Sequence, residues 1–106
     1  MTRVYVEPGI CGSCATIDAR RDGQKDVQIR IQSGCEKVMA FGRCLGNLSF
    51  FDILPRALNE STIYEKAGQC ELHGSCPIPC AVMKAAEVEL ELAMKKEVKI
   101  TFQKHS

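Results

Sequence analysis

The sequence predicts one α+β domain over residues 1–106, in which an antiparallel sheet of three or four strands carries helices on one face. Three segments near the N-terminus alternate apolar and polar residues with a period of two, which is typical of half-buried strands. Apolar residues recur at helical spacing from Val38 and again from Ala81. The sequence contains no internal repeat, linker or low-complexity segment that would divide the chain.

Each strand is predicted from its alternation and from the turns around it. The N-terminal strands are expected at residues 3–7, 15–20 and 27–32, with Asp22-Gly23 as the hairpin signal between the last two. Residues 97–102 alternate in the same way, so we expect a closing strand that joins the sheet. The polar face of an antiparallel sheet can stay in water, and therefore only its apolar face needs a cover.

Helices are predicted to supply this cover. Ser33 and Glu36 have the spacing of a capping box, in which serine caps the helix and glutamate lies three residues later. The helix that starts there is expected to end at Gly46, and shorter helical segments follow it. A long amphipathic helix is expected from Pro77 to about Lys95, because proline is tolerated in the first turn of a helix.

Charge and hydropathy exclude several classes of partner and set the expected compartment. The formal net charge is +1, which gives no reason to expect nucleic acid or a membrane as partner. No apolar run approaches the roughly 20 residues of a spanning helix, and the N-terminus lacks the apolar core of a signal peptide. We therefore expect a cytoplasmic protein, whose thiols stay reduced. Seven cysteines, an odd number, favour metal binding or thiol chemistry over a complete disulfide framework.

Three cysteines share a feature of position, since each follows a break in the chain and lies at a turn or a helix N-terminus. They are Cys11, Cys35 and Cys76. If the helices cover one face of the sheet, these positions can meet at one edge, and three thiolates with a fourth ligand make a tetrahedral metal site. The candidates for additional ligands are Cys14, His73 and Cys80. We also expect the dipole of the long helix to favour the thiolate form of Cys76.

A thiol-disulfide oxidoreductase or redox sensor is the alternative function. Its redox pair would be Cys11/Cys14 or Cys76/Cys80, with a helix-start thiolate beside a resolving cysteine. Redox C-x-x-C motifs usually open a helix in a thioredoxin-like unit, whereas Cys14 is expected to open a strand. A third interpretation keeps all seven thiols as inert structural residues.

Two further cysteines carry no functional signal in the sequence. Cys44 lies inside the first predicted helix beside Leu45, and a free cysteine in such a place is usually a small buried hydrophobe. Cys70 lies in a polar loop ahead of the candidate ligand His73, and no function is assigned to it.

The order of strands, cysteines and helices resembles that of the U-type iron–sulfur cluster scaffolds (IscU/NifU). In that family one cysteine follows an early strand, a second opens a helix after the third strand, and a third opens a late helix next to a histidine. The matching positions here are Cys11, Cys35 and Cys76, with His73 nearby. Two residues separate His73 from Cys76 in this chain, whereas the two are adjacent in the family.

This resemblance implies a two-layer α+β fold and a scaffold-like, non-catalytic function. The implied cofactor is an iron–sulfur cluster, with zinc as the alternative, because soft thiolate ligands select both. The candidate partners are a protein that exchanges the metal or cluster and a second copy of the chain. The chain also resembles a group of small uncharacterised cysteine-rich proteins, mainly of anaerobic microbes, that share its Pro-Gly-Ile-Cys start and its Cys-Pro-x-Pro motif.

Overall fold

The computed structural model describes residues 1–104. Four antiparallel strands, hydrogen-bonded in chain order, form its sheet: Thr2–Val6 (β1), Ala15–Asp22 (β2), Asp26–Ser33 (β3) and Asn47–Ser49 (β4). The helices are Glu36–Leu45 (α1), Phe50–Ile53 (α2), Thr62–Gln69 (α3) and Ile78–Glu89 (α4), with a 3-10 turn at Leu58–Glu60. The predicted α+β class with an antiparallel sheet is confirmed.

The alternating residues of the first three strands put their apolar side chains on one face of the sheet. Val4 pairs with Ile17 and Ile17 pairs with Ile31, so apolar positions of neighbouring strands lie side by side. Ile17, at the centre, is fully buried. The hairpin between β2 and β3 turns at Gly23, whose φ of 75° lies in the left-handed region that glycine adopts without strain. The predicted N-terminal meander is thus confirmed.

Two helices cover the apolar face of the sheet. α1 packs on β3, and α4 packs on β1 and β2. Phe41 from α1 and Val82 from α4 are both fully buried in the core between the layers. α1 lies close to β3 at Gly42, where a Cβ atom would lie 3.1 Å from the Cβ of Ile31. Glycine at this position lets the two backbones come close together.

The start of α1 differs from the predicted capping box. The N-cap residue is Cys35, whose backbone is extended, and the first helical residue is Glu36. The observed N-cap therefore lies two residues after the predicted one. Ser33 lies too early to cap it, and its Oγ accepts a hydrogen bond from the Cys35 N–H at 3.1 Å instead. A capping box is present at α2, where Asp52 Oδ2 accepts from the Ser49 N–H at 3.0 Å.

α4 ends earlier than predicted, at Glu89 rather than near Lys95. The Glu89 carboxylate accepts hydrogen bonds from Thr2 Oγ1 and from the Arg21 N–H, each at 2.8 Å, which ties the helix end to β1 and β2. Glu91 follows with a positive φ of 63°, a value outside the helical region. Neither α4, with 12 residues, nor any other helix in residues 1–104 is long and apolar enough to cross a membrane.

The closing strand predicted at residues 97–102 is wrong. These residues have no regular secondary structure, and the side chains of Ile100 and Phe102 are largely exposed. The fourth strand is β4, where Leu48 pairs with Val27 of β3 and is buried. Alternation identifies a segment that is able to form a strand, but it does not say which sheet edge is free. β4 takes the outer edge of β3.

Candidate functional site

One pocket gathers thiols from three separate segments of the chain. The loop after β1 contributes Cys11, the start of α1 contributes Cys35, and the loop before α4 contributes His73 and Cys76. We call these four residues the cysteine pocket. Its cavity of about 170 Å³ is more than ten times the roughly 10–15 Å³ that one water molecule needs on a comparable measure. The cavity therefore has room for a metal ion together with a small ligand.

The sheet register explains why these segments meet. Val6 at the end of β1 pairs with Ala15 at the start of β2, and Ala15 pairs with Ser33 at the end of β3. The chain therefore leaves β1 and β3 at the same end of the sheet. This is the convergence that the sequence predicts for Cys11 and Cys35.

Cys11 lies in a tight turn between two glycines. The Gly12 N–H donates to the Gly9 carbonyl at 2.9 Å, and the φ values of Gly9 and Gly12 are 93° and 71°. Residues with a Cβ adopt such φ values only at a cost in energy, so this turn favours glycine at both positions. The turn leaves Cys11 exposed, where a ligand from solution can reach it.

Cys35 is positioned by the start of α1. Its carbonyl accepts the helical hydrogen bond from the Met39 N–H at 3.0 Å, and its side chain packs, half-buried, against the hydrophobic core. Lys37 and Glu71, which have opposite charges, line the same pocket. The backbone of Cys35 is therefore fixed by the start of α1, in contrast to Cys11 in its exposed turn.

Cys76 and His73 belong to one turn, because the Cys76 N–H donates to the His73 carbonyl at 3.0 Å. Burial raises the pKa of the Cys76 thiol, and nearby Cys11 and Cys35 raise it further by charge repulsion. A hydrogen bond from the Ile78 N–H, in the first residue of α4, acts in the opposite direction. The start of α4 therefore lowers the pKa of Cys76 as expected, but burial raises this pKa by more. The expectation that Cys76 favours its thiolate form is wrong.

The other two predicted ligands lie elsewhere. Neither Cys14 nor Cys80 is among the described residues that line the cysteine pocket. Cys14 interacts with the Tyr5 hydroxyl on β1, and this interaction raises the pKa of Tyr5. Cys80 is exposed on α4 and lies beside Tyr64 of α3, whose pKa is raised by burial and by this thiol. The structure thus brings four of the six predicted ligands to one pocket.

The side chains of the cysteine pocket do not form a preformed metal centre. Within residues 1–104, no group of three His, Cys, Asp or Glu side chains is placed to hold a metal ion. The backbone brings the thiols to one cavity, while their orientation is not that of joint ligands. A cysteine side chain has one χ1 torsion with three staggered wells, so rotation about the Cα–Cβ bond can redirect each sulfur.

Sequence reasoning missed a second pair of cysteines. The prediction that Cys44 is a buried core residue is wrong, because its side chain is exposed on α1. Cys70, which carried no functional signal, is half-buried, and its thiol interacts with that of Cys44. The two residues are far apart in the chain, and no local pattern connects them.

Comparisons with known proteins identify a family but no activity. A family model, described as a family of unknown function (DUF6951), matches residues 2–102. A search of curated proteins and a search of solved structures found no significant match. The expected likeness to an uncharacterised family is therefore confirmed, whereas the resemblance to U-type iron–sulfur scaffolds stays a prediction.

Proposed function

This chain belongs to the DUF6951 family of unknown function, and we propose that it binds a soft metal ion or an iron–sulfur cluster in the cysteine pocket. Cys11, Cys35 and Cys76 are the thiolate ligands in this proposal, and His73 is the fourth. The observation that carries it is the convergence of three thiols, each from a different segment, on one cavity. Histidine supplies a neutral imidazole nitrogen that suits zinc and iron.

Electrostatics within the pocket supports a cationic ligand. After burial, the charges of Cys11 and Cys35 are what raise the pKa of Cys76, so the three sulfurs lie close enough for their charges to repel. A bound cation replaces this repulsion with attraction and allows all three thiols to ionise. Thiolates are soft ligands, which favour zinc or iron–sulfur clusters over magnesium or calcium.

The structure gives less support to a thiol-disulfide oxidoreductase with the predicted pairs. Cys11 lines the pocket without Cys14, and Cys76 lines it without Cys80. Each pair is therefore split between the cavity and another surface. The thiol that makes the first attack in such a pair is also expected to have a lowered pKa, whereas burial raises the pKa of Cys76.

Exchange of the metal or cluster with another protein extends this proposal. Ile10 is fully exposed, lines the pocket and lies next to the ligand Cys11. A recipient protein, or a second copy of the chain, that approaches Cys11 would contact this apolar side chain. Cytoplasmic location belongs to the same proposal, because reduced thiols are the form that binds metal.

Titration of the reduced chain with Co²⁺ in the absence of oxygen tests the proposal. Thiolate ligation gives sulfur-to-cobalt charge-transfer absorption and the visible bands of a tetrahedral ion, and we expect both to saturate at one equivalent. Competition with zinc then gives the zinc affinity, and reconstitution with iron and sulfide tests for a cluster.

Two matched variants assign the site. Cys76→Ser removes a proposed ligand, and we expect the affinity to fall by at least the roughly 10- to 100-fold that second-shell changes cost at metal sites. Cys80→Ser changes a thiol four residues away that lies outside the pocket, and we expect it to bind cobalt as the parent does. Equal binding by parent and Cys76→Ser, or a parent without sulfur-to-cobalt absorption, would show the assignment to be wrong.

A further inference from the structure

A second pair of thiols lies where α1 meets α3, outside the cysteine pocket. α1 packs against α3, with Cys44 in the last turn of α1 and Cys70 as the C-cap residue of α3. Lys66 joins the two positions. Its Nζ donates to the Cys44 carbonyl at 3.3 Å, and its own carbonyl accepts from the Cys70 N–H at 3.1 Å. The first contact crosses from α3 to α1 and the second closes the last turn of α3, so Lys66 places both cysteines near the interface between the helices.

The thiol of Cys44 lies close enough to that of Cys70 to affect its pKa, and the two thiols differ in exposure. Burial raises the pKa of Cys70, the neighbouring thiol of Cys44 raises it further, and Arg43 lowers it. Cys44 is exposed, whereas Cys70 is half-buried. An oxidant in solution therefore meets Cys44 first, and Cys70 lies in position to attack the product.

We propose that Cys44 and Cys70 form a reversible disulfide that links α1 to α3, with a low-molecular-weight disulfide such as glutathione disulfide as the oxidant. The Cys44 thiolate attacks one sulfur of the oxidant, forms a mixed disulfide and releases one thiolate, which takes up a proton. The Cys70 thiolate then attacks the Cys44 sulfur and releases the second. The two protein thiols lose two electrons and two protons, and the oxidant leaves as two thiols.

This disulfide restrains the segment that leads into the cysteine pocket. Cys70 is followed by Glu71, with a positive φ of 62°, and then by the stretch that carries His73. A covalent link fixes the start of this stretch relative to α1, the helix that begins after Cys35. A link between residues 44 and 70 also removes conformations from the unfolded chain, so the oxidised protein is expected to melt at a higher temperature.

Peptide mapping of the full chain identifies the link. The reduced protein is incubated with glutathione disulfide, remaining thiols are alkylated, and the protein is digested with trypsin and Glu-C. Trypsin cuts after Arg43 and Lys66 and Glu-C cuts after Glu71, which separates Cys70 from the later cysteines before mass spectrometry. The same treatment of the triple variant Cys11→Ser/Cys35→Ser/Cys76→Ser separates this proposal from the metal site, because that variant lacks the pocket thiols.

We expect a linked peptide pair that joins residues 44 and 70, forms in parent and triple variant alike, and disappears with dithiothreitol. In Cys70→Ser, glutathione is expected to remain on Cys44. The upward shift in melting temperature on oxidation is expected to be lost in Cys44→Ser, a substitution at an exposed position that leaves the core unchanged. Links from either residue to other cysteines, or glutathione that stays on Cys44 in the parent, would overturn the proposal.

Discussion

Replacement of Gly42 by alanine measures how closely α1 lies on the sheet. The new Cβ would lie 3.1 Å from the Cβ of Ile31 and 3.2 and 3.3 Å from two further carbons of that side chain. The Ile31 Cβ cannot rotate away, because it is attached to the backbone of β3, which pairs with Ile17 of β2 at this position. Overpacking of this kind costs roughly 1–3 kcal/mol, and alanine recovers about 1 kcal/mol of helix propensity. We therefore expect a net loss of about 1 kcal/mol in the free energy of unfolding.

Gly68→Ala is the matched control for this substitution. Gly68 also lies inside a helix, but no described heavy atom lies within 4 Å of the position that its Cβ would take. Alanine there should raise stability by about 0.5–1 kcal/mol. Urea titration followed by circular dichroism resolves both effects, since 1 kcal/mol shifts the midpoint by about 0.3–1 M for a small domain. If Gly42→Ala stabilises the protein as much as Gly68→Ala does, α1 does not approach β3 as closely as the structure shows.

Three further outcomes are expected from the same structure. Burial raises the pKa of Glu89, but hydrogen bonds from the Arg21 N–H and Thr2 and the charge of the N-terminus lower it more, so its net pKa is lowered. The stabilisation by this carboxylate is present above the unfolded-state pKa of about 4.3 and is lost at lower pH. Glu89→Gln should therefore lower the free energy of unfolding by about 1–2 kcal/mol at neutral pH. In acid, the urea midpoints of the variant and the parent should converge. Cobalt affinity should fall as pH falls, because Cys76 and the other thiols must lose protons to bind, and titrations at several pH values measure this. Removal of bound zinc by a chelator should lower the melting temperature without loss of the circular dichroism signal, because the apolar core between sheet and helices needs no metal.

The first three strands are predictable because their information is local. Alternation of Ile17 and Ala19 with polar neighbours sets the buried face, and Gly23 marks the hairpin. The fourth strand is not predictable in this way, since Asn47–Ser49 is too short to show a period and is defined by its pairing with β3. Residues 97–102 show the opposite case, in which a clear alternation pairs with no strand of the described chain, although the outer edge of β1 is open.

The thiol cluster is predictable to the extent that chain breaks reveal it. Cys11 follows β1 and Cys35 follows β3, and an antiparallel meander returns both chain ends to one side of the sheet. The choice among additional ligands depends on side-chain direction, and only the structure shows that His73 lines the pocket while Cys80 does not. The direction of the pKa shift of Cys76 also depends on tertiary structure. Burial raises this pKa and the start of α4 lowers it, and the extent of burial is set by how the loop packs on the core.

The contact between α1 and α3 is beyond local sequence reasoning. Cys44 lies in a helix whose apolar face is clear, yet nothing in that pattern says which element covers its side. The packing of the two helices brings Cys70 close to Cys44, and the sequence gives no sign that these two thiols are neighbours.

X-ray absorption at the zinc edge tests the proposed metal site most directly, because it counts the ligands and measures their distances. We expect about three sulfurs at roughly 2.3 Å and one nitrogen at about 2.0–2.1 Å from zinc bound to the reduced chain. We expect Cys76→Ser to lose one of these sulfurs and Cys80→Ser to keep all three. A shell of nitrogen and oxygen alone, or a sulfur count that Cys76→Ser leaves unchanged, would contradict zinc binding by the cysteine pocket.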